Sequence, residues 1–326
     1  MSRQGRRATI IDVAARAGVS RQTVSRALND MPGISGETRE RVLAAAKELN
    51  YRPSRFGRGL VEQGPTTLGL VVGRLSNTYY AELGAAVVRA CAPHGWNVVL
   101  AEADDAPQPE KVAADLSRRV DALVGYGVAT AGIRGGGMPI VQVDGTPEQI
   151  DQAGVLELPR TGAMADLAEH LRERGVRRPV VLGHGTQETD ERTRALVGAL
   201  SGLAPGGEVP VRTVHPHEGH EEALPELLAG GTDALVAFND ELAVRMLRAL
   251  RRSGIEVPSR VRVTGVDGLE ISTLVSPELT TLSLDIDRVA REAVELVAGM
   301  LEGTVPLRGE EAHRRVDYRL VVREST

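Results

Sequence analysis

The chain contains 326 residues, of which 42% are hydrophobic and 25% charged, a composition ordinary for a globular protein and a length that suits two or three compact units. Only 2% of the residues are aromatic, so the cores must be built from Val, Leu, Ile and Ala. The single cysteine, Cys91, excludes an internal disulfide and is expected to pack as a small buried hydrophobic side chain.

The beginning of the chain is basic and polar, which argues against a signal peptide. No run approaches the ~18 apolar residues that a membrane helix needs. We therefore expect no membrane partner and a cytoplasmic location.

The formal net charge of −5 hides an asymmetry. Residues 1–66 carry 12 Lys and Arg against 6 Asp and Glu, a net charge of +6. Residues 67–326 carry 27 against 38, a net charge of −11. A small basic unit on an acidic body is typical of a chain whose basic unit meets phosphates, although basic tails are common and charge alone does not establish the partner.

The basic unit begins with two short helical patterns. Residues 9–12 resemble a capping box, and apolar side chains then recur at helical spacing as far as Ala17. Gly18 ends this first helix. After a tight turn, Ser20 can cap a second helix that runs to about Asn29.

The second helix has two different sides. Val24, Ala27 and Leu28 fall on one side and predict a buried aliphatic face. The polar residues on the other side and at its edge are Arg21, Gln22, Ser25, Arg26 and Asn29. Such a row is usually a solvated surface, but a preceding helix, a glycine turn and a third helix over about 35–50 complete a helix-turn-helix scaffold. Arg can pair with guanine and Gln with adenine in a major groove, so the context favours a DNA reader.

These motifs carry a resemblance to a known family. Residues 9–29 are TIIDVAARAGVSRQTVSRALN and residues 35–53 are SGETRERVLAAAKELNYRP. Over residues 8–60 the chain resembles, almost position by position, the head of the LacI/GalR family of bacterial repressors. The resemblance implies that Arg21, Gln22 and Arg26 read bases. It also implies that Thr23, Ser25 and the turn before the third helix hold the DNA backbone.

The segment after Pro53, which ends the third helix, predicts a hinge. In the resembling family this stretch becomes helical on DNA, and its leucine enters the minor groove as a wedge. Leu60 stands at the matching position, and Arg55 and Arg58 would face phosphates. The alternative is an ordinary flexible linker in which Leu60 has no specific role.

Two glycines distinguish this hinge from its relatives. Gly57 and Gly59 stand where the family usually has Ala and a small polar residue. Each Gly costs a helix about 1 kcal/mol relative to Ala. We therefore expect a hinge that is unfolded without DNA and folds only with difficulty on it.

From Thr67 onward, short β-branched runs alternate with helical segments. The runs that predict strands are 68–72, 97–100, 122–124, 139–143, 179–182, 234–237 and 261–265. Alternation over about 220 residues implies an α/β body with parallel sheets covered on both faces. The body resembles the family's two-lobed effector domain, which is itself similar to periplasmic sugar-binding proteins.

The predicted fold class is thus a small all-α helix-turn-helix domain followed by a two-lobed α/β domain. The predicted boundaries are 1–52 for the DNA-binding domain, 53–66 for the hinge and 67–326 for the effector-binding and dimerisation domain. Within the last, the first lobe takes about 67–157 and 287–319, and the second lobe takes about 158–285 and 320–326.

Ligands of such folds bind beyond the carboxyl ends of the strands. The candidate effector-binding residues there are Tyr79, Tyr80, Asp144, Arg192, Asn239 and Asp267. The resemblance implies an aromatic pair bordering the ligand, an arginine reaching its oxygens and polar groups from the second lobe. Carboxylates and an arginine suit polyhydroxylated ligands. The alternative for each polar residue is strand-end capping or a surface ion pair.

Two departures leave the effector open between a sugar and a less polar molecule. Relatives commonly have a polar residue where Leu284 stands, and residues 156–160 differ from the usual entry into the second lobe. The resemblance further implies repression by a homodimer on palindromic double-stranded operator DNA, at the nucleoid. Its candidate dimer surfaces are the helix that begins at Tyr79 and the segments near Gly95 and 112–118.

Other kinds of site are excluded by spacing. His215, His217 and His220 match no zinc signature and are interrupted by Pro216 and Gly219. The chain has no phosphate loop, dinucleotide fingerprint or G-x-S-x-G motif, so we expect no metal, no cofactor and no enzymatic activity. A transport protein of the same body fold would need an export signal and would lack the helix-turn-helix.

Overall fold

The computed structural model describes residues 10–28, 33–49, 65–104, 106–128, 137–183, 191–214 and 220–326. The chain divides into two units, residues 1–66 and residues 67–326. The described part of the first unit contains α1 (Ile10–Ala17), α2 (Arg21–Leu28) and α3 (Gly36–Glu48).

The first unit is held together by small aliphatic side chains. Val13, Val24 and Val42, one from each helix, are completely buried and form the centre of this core. Gly18 adopts a φ of 67°, which ends α1 in the left-handed conformation that favours glycine. On the surface, Arg16 of α1 and Glu48 of α3 form an ion pair at 2.7 Å.

The second unit alternates strands with helices. Its strands are β1 (Thr67–Val72), β2 (Asn97–Glu102), β3 (Ala122–Gly125), β4 (Ile140–Val143), β5 (Gly154–Glu157), β6 (Pro179–Gly183), β7 (Val211–Thr213), β8 (Ala234–Ala237), β9 (Arg262–Asp267), β10 (Thr280–Ser283), β11 (His313–Arg315) and β12 (Arg319–Val321). Its longer helices are α4 (Thr78–Cys91), α5 (Pro109–Leu116), α6 (Thr161–Glu173), α7 (Glu191–Leu200), α8 (His220–Leu227), α9 (Asp240–Arg252) and α10 (Ile286–Glu302).

The strands form two six-stranded sheets, one in each lobe. The order is β11-β5-β4-β3-β1-β2 in the first lobe and β12-β10-β9-β8-β6-β7 in the second. Neighbouring strands are parallel throughout, except that β12 runs antiparallel to β10. The two sheets therefore repeat one arrangement, in which β4 and β9 occupy the same place.

The chain passes between the lobes at three points. It crosses between β5 and α6, between β10 and α10, and between β11 and β12. As a result α10 packs on α4 of the first lobe, although it follows the last parallel strand of the second. Three crossing segments side by side form a hinge between the lobes.

The predicted fold class is confirmed, and each of the seven predicted strand runs overlaps a strand. Strands such as β3 and β8 are buried along their whole length, because helices cover both faces of a parallel sheet. Cys91 is buried as expected, and burial raises the pKa of its thiol to about 11. None of the helices within the described ranges is both long and apolar enough to span a membrane.

Candidate functional site

The helix α2 exposes the polar row that the sequence analysis identified. Arg21, Gln22 and Arg26 are exposed, whereas Val24 and Ala27 are buried against the other two helices. The division follows from helical geometry, because residues three apart share a face. The side chains that could enter a groove are therefore presented by a rigid scaffold.

Two serines fix the starts of the helices in this unit. The Oγ of Ser20 accepts a hydrogen bond from the Thr23 backbone N–H at 3.1 Å, and the hydroxyls of the two residues are 2.9 Å apart. Ser35 caps α3 through the Thr38 backbone N–H at 3.3 Å. Ser20 thus acts as the predicted cap, and the Thr23 hydroxyl has a local partner.

The remaining predicted DNA-binding residues cannot be placed in this way. Asn29, Arg55, Arg58 and Leu60 lie outside the described residues, as does the side chain of Ser25. Their roles stay predictions.

In the second unit, functional side chains gather where the strands end. Tyr79 and Tyr80 begin α4 after β1, Tyr126 follows β3, and Asp144 follows β4. Phe238 follows β8 in the second lobe, and Asp267 is the last residue of β9. Because parallel strands end at one edge of their sheet, each lobe presents a row of polar and aromatic groups there.

Three tyrosines of the first lobe form one cluster. The hydroxyls of Tyr79 and Tyr126 are hydrogen-bonded at 2.6 Å, and the ring of Tyr80 meets both other rings edge to face at 5.3 and 5.4 Å. Burial raises the pKa of Tyr80 to about 12, and the Asp104 carboxylate adds to the rise. These phenols stay neutral and offer both aromatic surface and hydroxyl groups.

The second lobe contributes a buried ion pair. Nη1 of Arg192 donates to Oδ1 of Asp267 at 3.2 Å and to the backbone carbonyl of Phe238 at 3.1 Å. The guanidinium also lies 4.7 Å from the centre of the Phe238 ring. Burial raises the pKa of Asp267 to about 6, and the Arg192 and Arg160 guanidinium groups oppose this rise.

The first lobe has a corresponding pair. Nη2 of Arg160 donates to Oδ2 of Asp144 at 2.6 Å, and its guanidinium lies 5.5 Å from the centre of the Tyr318 ring. Arg160 belongs to the first crossing between the lobes and Tyr318 to the third. The crossing segments therefore contribute to the site as well as connecting the lobes.

The two pairs and the tyrosines belong to one site. Burial raises the pKa of Tyr79 well above its usual value, and Tyr318, Asp267 and Asp144 add to this rise through their charges. Asp144 and Asp267 stand in different lobes, yet both act on the same phenol. The structure thus brings together five of the six predicted effector-binding residues: Tyr79, Tyr80, Asp144, Arg192 and Asp267.

Asn239 lies at the edge of this group with a structural task of its own. Its Oδ1 accepts a hydrogen bond from the Leu242 backbone N–H at 2.9 Å and caps α9. The next residue, Asp240, is completely buried close to Asp267. Asp240 accepts hydrogen bonds from the Thr281 hydroxyl at 2.5 Å and from the Leu269 backbone N–H at 2.8 Å.

Four residues of the site were not predicted from the sequence: Tyr126, Arg160, Phe238 and Tyr318. Two signals could have found some of them. The chain has only eight aromatic residues, five Tyr, two Phe and one Trp, and five of these eight lie at this site. The tripeptide Val-Asp-Gly also occurs at residues 143–145 and again at 266–268, at the ends of the equivalent strands β4 and β9.

We refer to these two tripeptides as the Val-Asp-Gly corners. Both aspartates adopt a positive φ, 53° at Asp144 and 110° at Asp267, which residues other than glycine rarely do. Backbone strain of this kind is common where a side chain must be presented to a ligand. Each lobe thus uses the same local device to hold a carboxylate at the site.

Within the described ranges, no group of three or more His, Cys, Asp and Glu side chains could hold a metal ion. His215 and His217, two of the three histidines considered in the sequence, lie outside those ranges.

The chain is similar to known proteins along its length. Residues 9–54 match the family described as "Bacterial regulatory proteins, lacI family", and residues 168–326 match the "Periplasmic binding protein-like domain". The catabolite control protein A of Staphylococcus xylosus is 27% identical over 287 residues, which cover 84% of this chain and 86% of that protein.

Two solved structures of regulators with bound sugars are also similar. A LacI family transcriptional regulator from Arthrobacter sp. FB24, in complex with lactose, is 30% identical, with a TM-score of 0.72 over 81% of this chain and 100% of that one. The transcriptional regulator CelR, in complex with cellobiose, is 28% identical, with a TM-score of 0.65 over 98% and 100%.

A helix-turn-helix unit joined to a body of periplasmic-binding-protein type defines a DNA-binding transcription regulator. The chain belongs to the LacI family of bacterial transcription regulators. This family is not enzymatic, so the prediction that the chain is not an enzyme is confirmed.

Proposed function

We propose that this regulator is a homodimeric repressor that binds a pseudo-palindromic operator and is controlled by a carbohydrate bound between its two lobes. The observation that supports this most strongly is the site itself, where two aspartate–arginine pairs stand beside aromatic rings. Carboxylate and guanidinium groups bind hydroxyls, and aromatic faces cover the apolar face of a sugar ring. The lactose and cellobiose complexes of two relatives agree with this ligand class.

For DNA, Arg21, Gln22 and Arg26 read base edges in the major groove. All three are exposed on α2, and their donors match guanine and adenine. Affinity falls steeply with salt, because phosphate contacts by the basic unit release counterions.

The dimer is formed through the body. Three apolar side chains remain exposed on two of the segments that the sequence analysis assigned to the dimer surface: Val88 of α4 and Val99 and Leu100 of β2. A second copy of the chain would cover them. Sedimentation of the intact protein measures this association, and Val88→Asp is expected to weaken it. Leu274→Asp serves as the control, because Leu274 is 73% exposed and lies outside these segments.

The base-reading assignment is tested by selecting bound sequences from a random duplex library with the intact protein. Arg21→Ala and Gln22→Ala are each expected to lose about 1–3 kcal/mol of discrimination at one base position. Arg41→Ala changes an exposed arginine of α3 outside the row and should keep the base preference. If both α2 variants selected the parental sequence, the assignment would be wrong.

The carbohydrate is tested on the operator complex by fluorescence anisotropy, beginning with lactose and cellobiose. A sugar that binds is expected to change the operator Kd by about fivefold or more, and the operator must change the sugar affinity by the same factor. If no neutral sugar altered operator binding while the selected operator was still recognised, the regulator would stand and the carbohydrate would be rejected.

A further inference from the structure

The first crossing between the lobes contributes a charged group to the site. Leu158 and Pro159 lead directly to Arg160, the residue before α6. Arg160 pairs with Asp144 at 2.6 Å, and only 12% of its side chain is exposed. An arginine held at this depth, facing the ligand side of a strand end, requires an explanation beyond connecting the lobes.

Arg160 keeps hydrogen-bond donors available. A guanidinium group carries five N–H donors. Within the described residues, the Arg160 side chain makes one hydrogen bond, to Asp144. Its Nε is buried and has no acceptor there. A buried donor without a partner costs free energy, so an additional acceptor at this place stabilises the protein.

The ring of Tyr318 does not occupy those donors. The guanidinium lies over this ring, 5.5 Å from its centre, so one flat face of the group is covered. The edges of the guanidinium, which carry the N–H groups, are not used by stacking. Tyr318 is itself buried and therefore gives this support a fixed position.

Charge is balanced at both pairs. Arg160 neutralises Asp144, just as Arg192 neutralises Asp267 on the other side of the site. A ligand amine that binds Asp144 must compete with Arg160, and a ligand carboxylate or phosphate that binds Arg160 must compete with Asp144. Either competition leaves one charge without its partner beneath a bound ligand that excludes water, which is unfavourable. A hydroxyl group can accept from Arg160 and donate to Asp144 without separating them.

We propose that Arg160 is a specificity-determining residue of the effector site, and that its pairing with Asp144 selects uncharged polyhydroxylated ligands over amino sugars and acidic sugars. This inference rests on the proposed carbohydrate function and states which carbohydrates the site accepts. It assigns a ligand role to a residue that was not predicted from the sequence.

The test compares ligand charge in matched sugars. The intact protein is titrated calorimetrically with neutral sugars, including glucose, galactose, lactose and cellobiose, and with amino and uronic acid counterparts of the two monosaccharides. The parent protein is expected to bind at least one neutral monosaccharide, and its charged counterparts at least about tenfold more weakly, which corresponds to about 1.4 kcal/mol.

Two single variants should shift this preference in opposite directions. Arg160→Met leaves Asp144 without its partner and is expected to raise the amino-to-neutral affinity ratio about tenfold. Asp144→Asn leaves Arg160 without its partner and is expected to raise the acidic-to-neutral ratio by a similar factor. The double variant Arg160→Met with Asp144→Asn removes both charges and should return both ratios towards the parental values.

Arg172→Met is the matched control. It breaks an exposed ion pair with Glu169 on α6, the helix that Arg160 precedes, and should leave every ratio unchanged. If Arg160 only connects the lobes, Arg160→Met will lower the melting temperature and leave the ratios as they are, which overturns the proposal. A parent protein that prefers a charged sugar overturns it as well.

The outcomes separate this proposal from the function on which it rests. If the parent binds none of the sugars, the carbohydrate function fails and the selectivity fails with it. If the parent binds a neutral sugar but the variants keep its charge preference, the function stands and the role of Arg160 alone is rejected.

Discussion

The two Val-Asp-Gly corners have the same sequence and the same place in equivalent sheets, yet their surroundings differ. The side chain of Asp144 is 33% exposed, whereas that of Asp267 is 3% exposed. Close to Asp267 lies a second buried carboxyl group, Asp240, and a Cβ added at Gly265 of β9 would collide with it. The second-lobe corner is therefore a buried polar assembly, and the first-lobe corner is a more open one.

The local motif fixes where each carboxylate points, but it does not fix how much free energy is lost when the carboxylate loses its ion-pair partner. Both corners turn the chain so that an aspartate faces the site. Burial then decides how strongly each aspartate depends on its arginine, because a charge in a low-dielectric interior has no water to replace a lost partner. We expect the second-lobe corner to act as a rigid anchor and the first-lobe corner to tolerate change.

The largest expected difference concerns the arginines. Arg192→Met leaves the buried Asp267 without its ion-pair partner and is expected to lower the free energy of unfolding by about 3–5 kcal/mol at pH 8. Arg160→Met is expected to cost about 1 kcal/mol or less, because Asp144 can be solvated. Urea unfolding followed by circular dichroism measures both. Equal losses would remove the proposed difference between the corners.

The next largest effect is a dependence on pH. Burial raises the pKa of Asp240 from its ordinary value of 3.8 to about 8, and the Asp267 carboxylate adds to the rise. Because the folded state then holds this proton more tightly than the unfolded state, stability is lost as pH rises from about 4 to about 8. Asp267 has a folded pKa of about 6, so the stability that it contributes is lost between about pH 4 and about pH 6.

Of these two carboxyl groups, only Asp240 contributes between pH 6 and pH 8. Burial lowers the pKa of His170, which adds a slope of opposite sign up to about pH 6.5 that parent and variant share. The parent is expected to lose up to about 1.4 kcal/mol of unfolding free energy per pH unit between pH 6 and pH 8 from Asp240. Asp240→Asn should lose this part of the slope, although it also weakens one hydrogen bond of the corner. The same slope in parent and variant, measured by urea unfolding at several pH values, would contradict the assignment.

A smaller difference is expected at the glycines of the two corners. Gly268 has a φ of 73°, and a Cβ there would collide with Ser283 of β10. A Cβ at Gly145 would meet only side-chain atoms, the nearest being the Gln142 Cγ at 2.9 Å and the Val155 Cγ1 at 3.0 Å, and Gly145 does not have a positive φ.

We expect Gly268→Ala to cost about 2 kcal/mol and Gly145→Ala clearly less. Thermal unfolding of the two variants side by side gives the comparison. A larger loss for Gly145→Ala would show that the first-lobe corner is the more constrained of the two.

The smallest effect concerns the buried hydroxyls of the first lobe. Tyr126→Phe removes one partner of the 2.6 Å hydrogen bond and leaves the Tyr79 hydroxyl without it, at a cost of about 1 kcal/mol. Tyr80→Phe is the control, because its hydroxyl makes no hydrogen bond with the described residues. A melting temperature lowered equally by both variants would mean that the hydrogen bond between the Tyr79 and Tyr126 hydroxyls does not stabilise the fold.

Much of the fold could be predicted from the sequence. Runs such as 234–237 are short, apolar and flanked by helical patterns, so their strands were evident. The strands β5, β7, β10, β11 and β12 were missed. They are three or four residues long, and β11 and β12 pair with strands far away in the chain. Their conformation comes from that pairing and not from a pattern of their own.

The candidate site, too, could be predicted from the sequence only in part. Tyr79, Asp144 and Asp267 could be found because each follows a recognisable strand, and ligands bind at strand ends. Arg160 and Tyr318 belong to crossing segments without any strand or helix pattern, and their contacts join residues that are far apart in sequence. The repeated Val-Asp-Gly tripeptide was visible in the sequence, but its meaning depends on the equivalence of β4 and β9 in the two sheets.

The sequence by itself determined the helix-turn-helix unit, because its caps, its glycine turn and its two-sided helix depend on residues three or four positions apart. It also determined the alternating α/β body and the family. Only the tertiary structure decided which arginine meets which aspartate. Arg192 and Asp267 are 75 residues apart in the sequence. Arg160 and Asp144 are 16 residues apart, with β5 between them in the chain. Such pairs exist only after the sheets have formed, since the sheets bring the strand ends together and exclude water from them.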